Sequence, residues 1–201
     1  MRFTSISSVA FYYGLLVLSL GLYNWPLMQY MAANLPMTSW AGVQTFITVL
    51  ALVTLLSGIA FGLVLMLSRR LTRVVLSAFM LINAVTLYFM VTYQVIVDRT
   101  MVGNTFNTDT SEAGELLHPK LLGYLLVFAV LPLLYLWHQP VQKLARLKLV
   151  GHTVLVALLC FGWMAASGST WLWIDKHAKV LGGMILPWGY VANTARFVAA
   201  E

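Results

Sequence analysis

VQTFITVLALVTLLSGIAFGLVLML, Val43 to Leu67, runs for 25 residues without one charged side chain. Coiled as an α-helix at about 1.5 Å per residue it reaches about 38 Å, more than the roughly 30 Å of a bilayer's hydrocarbon core. In lipid every backbone polar group must bond within its own segment, so such a run is read as a helix. The strict alternation of barrel strands is absent from it.

Four further runs of this kind flank it, at Val9 to Tyr30, Val74 to Val97, Leu121 to Trp137 and Val150 to Ala166. The whole chain has 61% hydrophobic and 9% charged residues, against about 25% charged in a soluble domain. The expectation is therefore an all-α polytopic membrane bundle of five spanning helices. The first run is longer than the 7 to 15 residues typical of a secretory signal core, and is read as an uncleaved span.

The formal charge of +6 does not point to nucleic acid, because the basic residues sit in short loops and form no stripe. They report topology instead. With the N-terminus cytoplasmic, Arg2, Arg69, Arg70, Arg73, Lys143, Arg146 and Lys148 fall inside, leaving Arg99, Lys120, Lys176, Lys179 and Arg196 outside. The excess inside follows the positive-inside rule. The C-terminal segment is then outside, with residues 1–168 as the transmembrane domain, 98–120 as a polar insertion on the outer side and 169–201 as a segment that follows the last span.

Within the spans, Gly58 and Gly62 form a small-xxx-small pair suited to close helix packing. Pro132 lacks a backbone donor and is expected to kink the fourth run. Six tryptophans, Trp25, Trp137, Trp163, Trp171, Trp173 and Trp188, lie near run ends, where interfacial anchoring is the expected role. No midplane acid or base marks an ion path. His118, His138, His152 and His177 lack metal-ligand spacing, and Cys160 is the single cysteine. No nucleophile elbow or phosphate loop appears.

Chemistry is concentrated between Asp98 and Lys120. Asn104, Thr108 and Glu112 are spaced four apart, so on a helix an amide, a hydroxyl and a carboxylate share one face. The row suits a zwitterionic lipid headgroup, with the carboxylate on an ammonium and the amide and hydroxyl on phosphate oxygens. Asp109 and Glu112 equally fit an N-terminal cap with its capping box, which would break the row. A membrane scaffold or small-molecule carrier without enzymatic activity is the competing class of function.

The residues from Tyr88-Phe89 through Tyr93 and Asp98 to Met101, Asn104, Thr108-Asp109, Glu112-Ala113 and Leu116-Leu117 stand in a fixed register. That register resembles the phosphoethanolamine transferases that modify lipid A in Gram-negative inner membranes, including the mobile colistin-resistance enzymes. Leu131-Pro132, Asn24 with its aromatic neighbours, and Lys179 followed by Pro187 are weaker echoes. The chain departs from the pattern at Asn107, Lys176 and Gly189.

The resemblance implies that Asn104, Thr108 and Glu112 help bind the lipid substrate, phosphatidylethanolamine, with lipid A or a related lipopolysaccharide as acceptor. It implies a zinc site and a nucleophilic threonine in a periplasmic catalytic domain outside these residues, to which the membrane domain would dock. No cofactor is expected in this chain, nor transfer activity from it alone.

Overall fold

The computed structural model describes residues 7–107, 118–138 and 146–199, and for 105–107 the backbone alone. Along the chain come α1 (Ser8–Tyr23), α2 (Trp25–Asn34), α3 (Trp40–Leu65), α4 (Arg69–Tyr93) and α5 (Arg99–Asn107). They are followed by α6 (Pro119–His138), α7 (Arg146–Ala166), α8 (Trp171–Lys176), α9 (Ala178–Met184) and α10 (Trp188–Val198). No strand occurs among the described residues.

Short side-chain acceptors set several of the helix starts. Ser7, Ser39 and Ser68 each accept a first-turn N–H, from Ala10, Gly42 and Leu71, which satisfies one of the orphan donors at a helix start. These caps lie outside the most apolar stretch. Accordingly α3 begins at Trp40 and α4 at Arg69, several residues before the hydropathy edges at Val43 and Val74.

Among the described residues four helices, α3, α4, α6 and α7, are long and apolar enough to cross a membrane, and α1 is a shorter apolar helix. The single first span expected from Val9 to Tyr30 is divided at Asn24, whose backbone leaves helical geometry at φ −106°, ψ 17°. Pro26 follows within the first turn of α2, where its missing N–H is harmless.

α3 packs along α7, and α4 along α6, while α1 contacts both pairs. The glycine pair makes the first contact possible: a Cβ on Gly62 would lie 2.5 Å from Thr153 Oγ1, and one on Gly58 would lie 3.3 Å from Val156 Cγ1 and 2.9 Å from Tyr12 Oη. The packing role expected of Gly58 and Gly62 is thus the observed one. Of the tryptophans near the run ends, Trp137 donates from Nε1 to Ser77 Oγ at 3.0 Å and Trp163 from Nε1 to Thr48 Oγ1 at 3.2 Å.

Pro132 shows how a freed carbonyl is satisfied in an apolar interior. It cannot donate to the carbonyl one turn earlier, Phe128 O, and Tyr23 Oη on α1 donates to that oxygen at 2.7 Å. Residues Leu126–Val130 adopt wider π-type bonding just before the proline, the local adjustment expected there.

The strand-free connectivity sorts charge onto two ends. Arg69, Arg70, Arg73, Arg146 and Lys148 start α4 and α7 at one end. Asp98, Arg99, Lys120, Asp175, Lys176, Lys179 and Arg196 lie at the other, on α5, α6 and α8 to α10 or beside them.

Candidate functional site

The polar end is built where α4 stops. Gln94 takes a left-handed conformation, φ 54°, and a short irregular stretch then leads into α5. Val97 is pinned on both sides: its N–H donates to Gly183 O at 3.0 Å and its carbonyl accepts from Asn193 Nδ2 at 2.7 Å. Asn193 is buried and its amide also reaches Gly189 O at 2.9 Å. The residues after Ser169, expected as a connection, therefore fold back as α8 to α10 and hold the entry to α5.

Asp98 starts α5. Its Oδ1 accepts the Met101 N–H at 3.0 Å, and its Oδ2 lies 3.9 Å from Lys179 Nζ. Lys179 is 81% exposed, so the contact adds little stability and the cap does the positioning. α5 lies on α10, where a Cβ on Gly103 would sit 3.0 Å from the Phe197 ring. Val102 and Gly103 are buried in this contact, and Asn104, next along the helix, is exposed.

Of the expected amide, hydroxyl and carboxylate row, the structure thus places Asn104, at the exposed side of a helix on the polar end. Thr108 and Glu112 lie outside the described residues, as do Asp109 and its capping arrangement. The helix that would carry the row is present from Arg99 to Asn107.

Aromatic rings cluster at the end of α4 and the start of α6. Tyr88 meets Phe89, Tyr93 and Tyr124 edge-on at centroid distances of 5.2, 5.9 and 5.7 Å. Phe89 stacks on Tyr93 at 5.7 Å. On α10, burial pushes the Tyr190 phenol above its ordinary value, so it stays neutral.

Asn24 was noted in the sequence only for its aromatic surroundings, and it proves to be the hub of this end. Fully buried, it donates from Nδ2 to Ser19 O at 2.8 Å and Leu186 O at 2.9 Å, and accepts the Leu186 N–H at 2.9 Å. An asparagine inside an apolar run must find partners, and that signal was legible. No group of three His, Cys, Asp or Glu able to hold a metal occurs among the described residues. His138 Nδ1 bonds Leu134 O at 2.8 Å and His152 Nδ1 bonds Tyr13 Oη at 3.0 Å.

Residues 55–201 match the family model described as phosphoethanolamine transferase EptA/EptB. The chain belongs to this family. It is 32% identical over 180 residues to phosphoethanolamine transferase EptA of Helicobacter pylori, covering 90% of this chain and 34% of that protein. In fold it superposes on the integral membrane lipooligosaccharide phosphoethanolamine transferase A of Neisseria meningitidis with a TM-score of 0.83. That match has 16% identity and covers 98% of this chain and 37% of the other. The chain therefore spans about a third of the length of each of these phosphoethanolamine transferases, and corresponds to the family's membrane domain.

Proposed function

We propose that this chain is the membrane portion of an enzyme that moves phosphoethanolamine from phosphatidylethanolamine to lipid A or a related lipopolysaccharide sugar. The observation that carries the reading is the 32% identity over 180 residues to a protein of that transferase name. In this reading the chain spans a Gram-negative inner membrane five times, α1 being the short first span. The Arg69 and Arg146 end faces the cytoplasm and α5 the periplasm; the excess of cations at the first end supports that orientation.

Zinc and the threonine that carries the transferred group are assigned to a periplasmic domain outside these residues, and the membrane portion alone is inactive. Here the contribution is reception of the lipid. Asn104 donates from its amide to a headgroup phosphate, Thr108 adds a hydroxyl, and the Glu112 carboxylate pairs with the ammonium. The exposure of Asn104 on a capped helix at the polar end supports this role. A cationic amine added to anionic lipid A weakens its attraction for cationic peptides such as polymyxins, hence a role in colistin resistance.

The test replaces Asn104, Thr108 and Glu112 singly by alanine in the full-length enzyme. Each variant is expected to reach the membrane at the normal level and to lower phosphoethanolamine on lipid A, read by mass spectrometry. Removing one hydrogen bond to a charged group, at about 1.5 to 3 kcal/mol, corresponds to roughly a 10- to 150-fold loss. Unchanged lipid A in all three, with normal protein levels, refutes the site.

A further inference from the structure

A crevice of about 290 Å³ opens between α1, α4 and α6, far from Asn104. Its walls include Phe11, Gly14 and Leu18, Met80, and Pro132 and Leu136. A closed apolar cavity of about 150 Å³ already stays dry and holds a benzene, so this crevice has room for several methylenes. It is open to the outside: Ala10 and Gly14 are exposed, and Tyr135 on its rim is 51% exposed. A Cβ on Gly14 would meet nothing within 4 Å.

Beside the crevice stands a fixed cation. Arg73, Ser77 and Met80 follow one another at four and three residues, on one face of α4. Arg73 is therefore about 10 Å closer to the helix end than the crevice wall. Its guanidinium lies 5.3 Å from the Trp137 ring centroid, and Trp137 Nε1 is held by Ser77 Oγ at 3.0 Å. Trp137 directly follows Leu136 of the wall. Arg69 and Arg70 are exposed at the same end, and both acids among the described residues, Asp98 and Asp175, lie at the opposite one. Among the described residues the local charge is positive and uncompensated, at an end of two helices long and apolar enough to cross a bilayer.

We infer that α1, α4 and α6 form a second lipid site, for a glycerophospholipid with a net negative headgroup, one acyl chain seated in the crevice and its phosphate on Arg73. Charge complementarity selects the headgroup, and the open apolar walls select the chain. The site does not rest on the transfer reaction, only on these helices spanning a bilayer.

The experiment uses the full-length protein in vesicles of phosphatidylethanolamine and phosphatidylglycerol in equal amounts, re-extracted in mild detergent, with retained lipid counted by native mass spectrometry. Wild type is expected to keep phosphatidylglycerol in preference. Gly14→Leu fills the crevice and lowers that retention about 15-fold, the factor for excluding about two methylenes at roughly 0.8 kcal/mol each. Ala10→Leu fills it from one turn away and decides the matter if Gly14→Leu does not elute as a folded species. Arg73→Gln keeps lipid bound but abolishes the preference for phosphatidylglycerol, and Arg73→Lys keeps the preference.

Equal retention by wild type and both crevice variants overturns the proposal, as does retention indifferent to headgroup in the wild type or an unaltered preference in Arg73→Gln. Lipid A modification is measured on the same variants. Lost modification with unchanged lipid retention counts against this site and leaves the headgroup row of α5 standing.

Discussion

Asn24→Ala is expected to loosen the polar end without unfolding the bundle. The side chain satisfies both backbone groups of Leu186, through bonds of 2.9 Å each, in a place with no solvent access at either residue. Ser19 O keeps a partner in the Asn24 backbone N–H at 3.1 Å, so its loss is partial. Two groups remain orphaned. At about 1 to 1.5 kcal/mol each, the low end for buried polar groups, the local opening equilibrium shifts by 2 to 3 kcal/mol, or about 30- to 150-fold. Hydrogen exchange by mass spectrometry, in a bilayer mimetic, should show protection falling by that factor over residues 183–190. Peptides from the middle of α3 should not change. Asn34→Ala is the control, because Asn34 is exposed and makes a single bond to Tyr30 O at 2.8 Å. Less than a threefold change over 183–190, or an equal loss of protection in α3, refutes the assignment of Asn24 as a local clamp.

Further expectations concern packing and the proline. Gly62→Val drives a side chain into Thr153 and should lower stability by about 1 to 3 kcal/mol, seen as a lower unfolding temperature in detergent. Gly151→Ala, where a Cβ meets nothing within 4 Å, should be neutral or slightly stabilising. Tyr23→Phe removes the donor to Phe128 O and should cost about 0.5 to 1.5 kcal/mol. In a Pro132→Ala background the restored N–H serves that carbonyl, so the same change should cost less, and a double-mutant cycle measures the difference. Lys179→Ala should change stability by no more than about 0.5 kcal/mol, whereas Asp98→Ala, which also removes the cap of α5, should cost about 1 kcal/mol.

The spanning helices were legible because lipid imposes one rule on composition: a long uncharged run has few folds open to it. Hydropathy placed α3, α4, α6 and α7 but set their starts late, since serines and arginines that begin or cap a helix are not apolar. The division of the first run at Asn24 was not read, because the reason for it, Leu186, lies 162 residues away. The partner of the carbonyl freed by Pro132 was hidden in the same way: Tyr23 is 105 residues distant. At the site, Asn104 lies on a helix, the condition that the four-residue spacing needs for a shared face. Spacing did not reveal that Asp98 is the residue that starts that helix, nor that Asn193 steadies its entry. Thr108 and Glu112 rest on sequence spacing and family resemblance.

The clamp between Asn24 and Leu186 has a consequence for biosynthesis. A ribosome adding about 5 to 20 residues per second needs roughly 8 to 30 seconds to make the 162 residues that separate the two. Through that interval the Asn24 amide has Ser19 O, five residues away, within reach, and Leu186 not yet made. Its bonds to Leu186 close only once the last helices have been made, so the fastening at position 24 is among the late events of assembly.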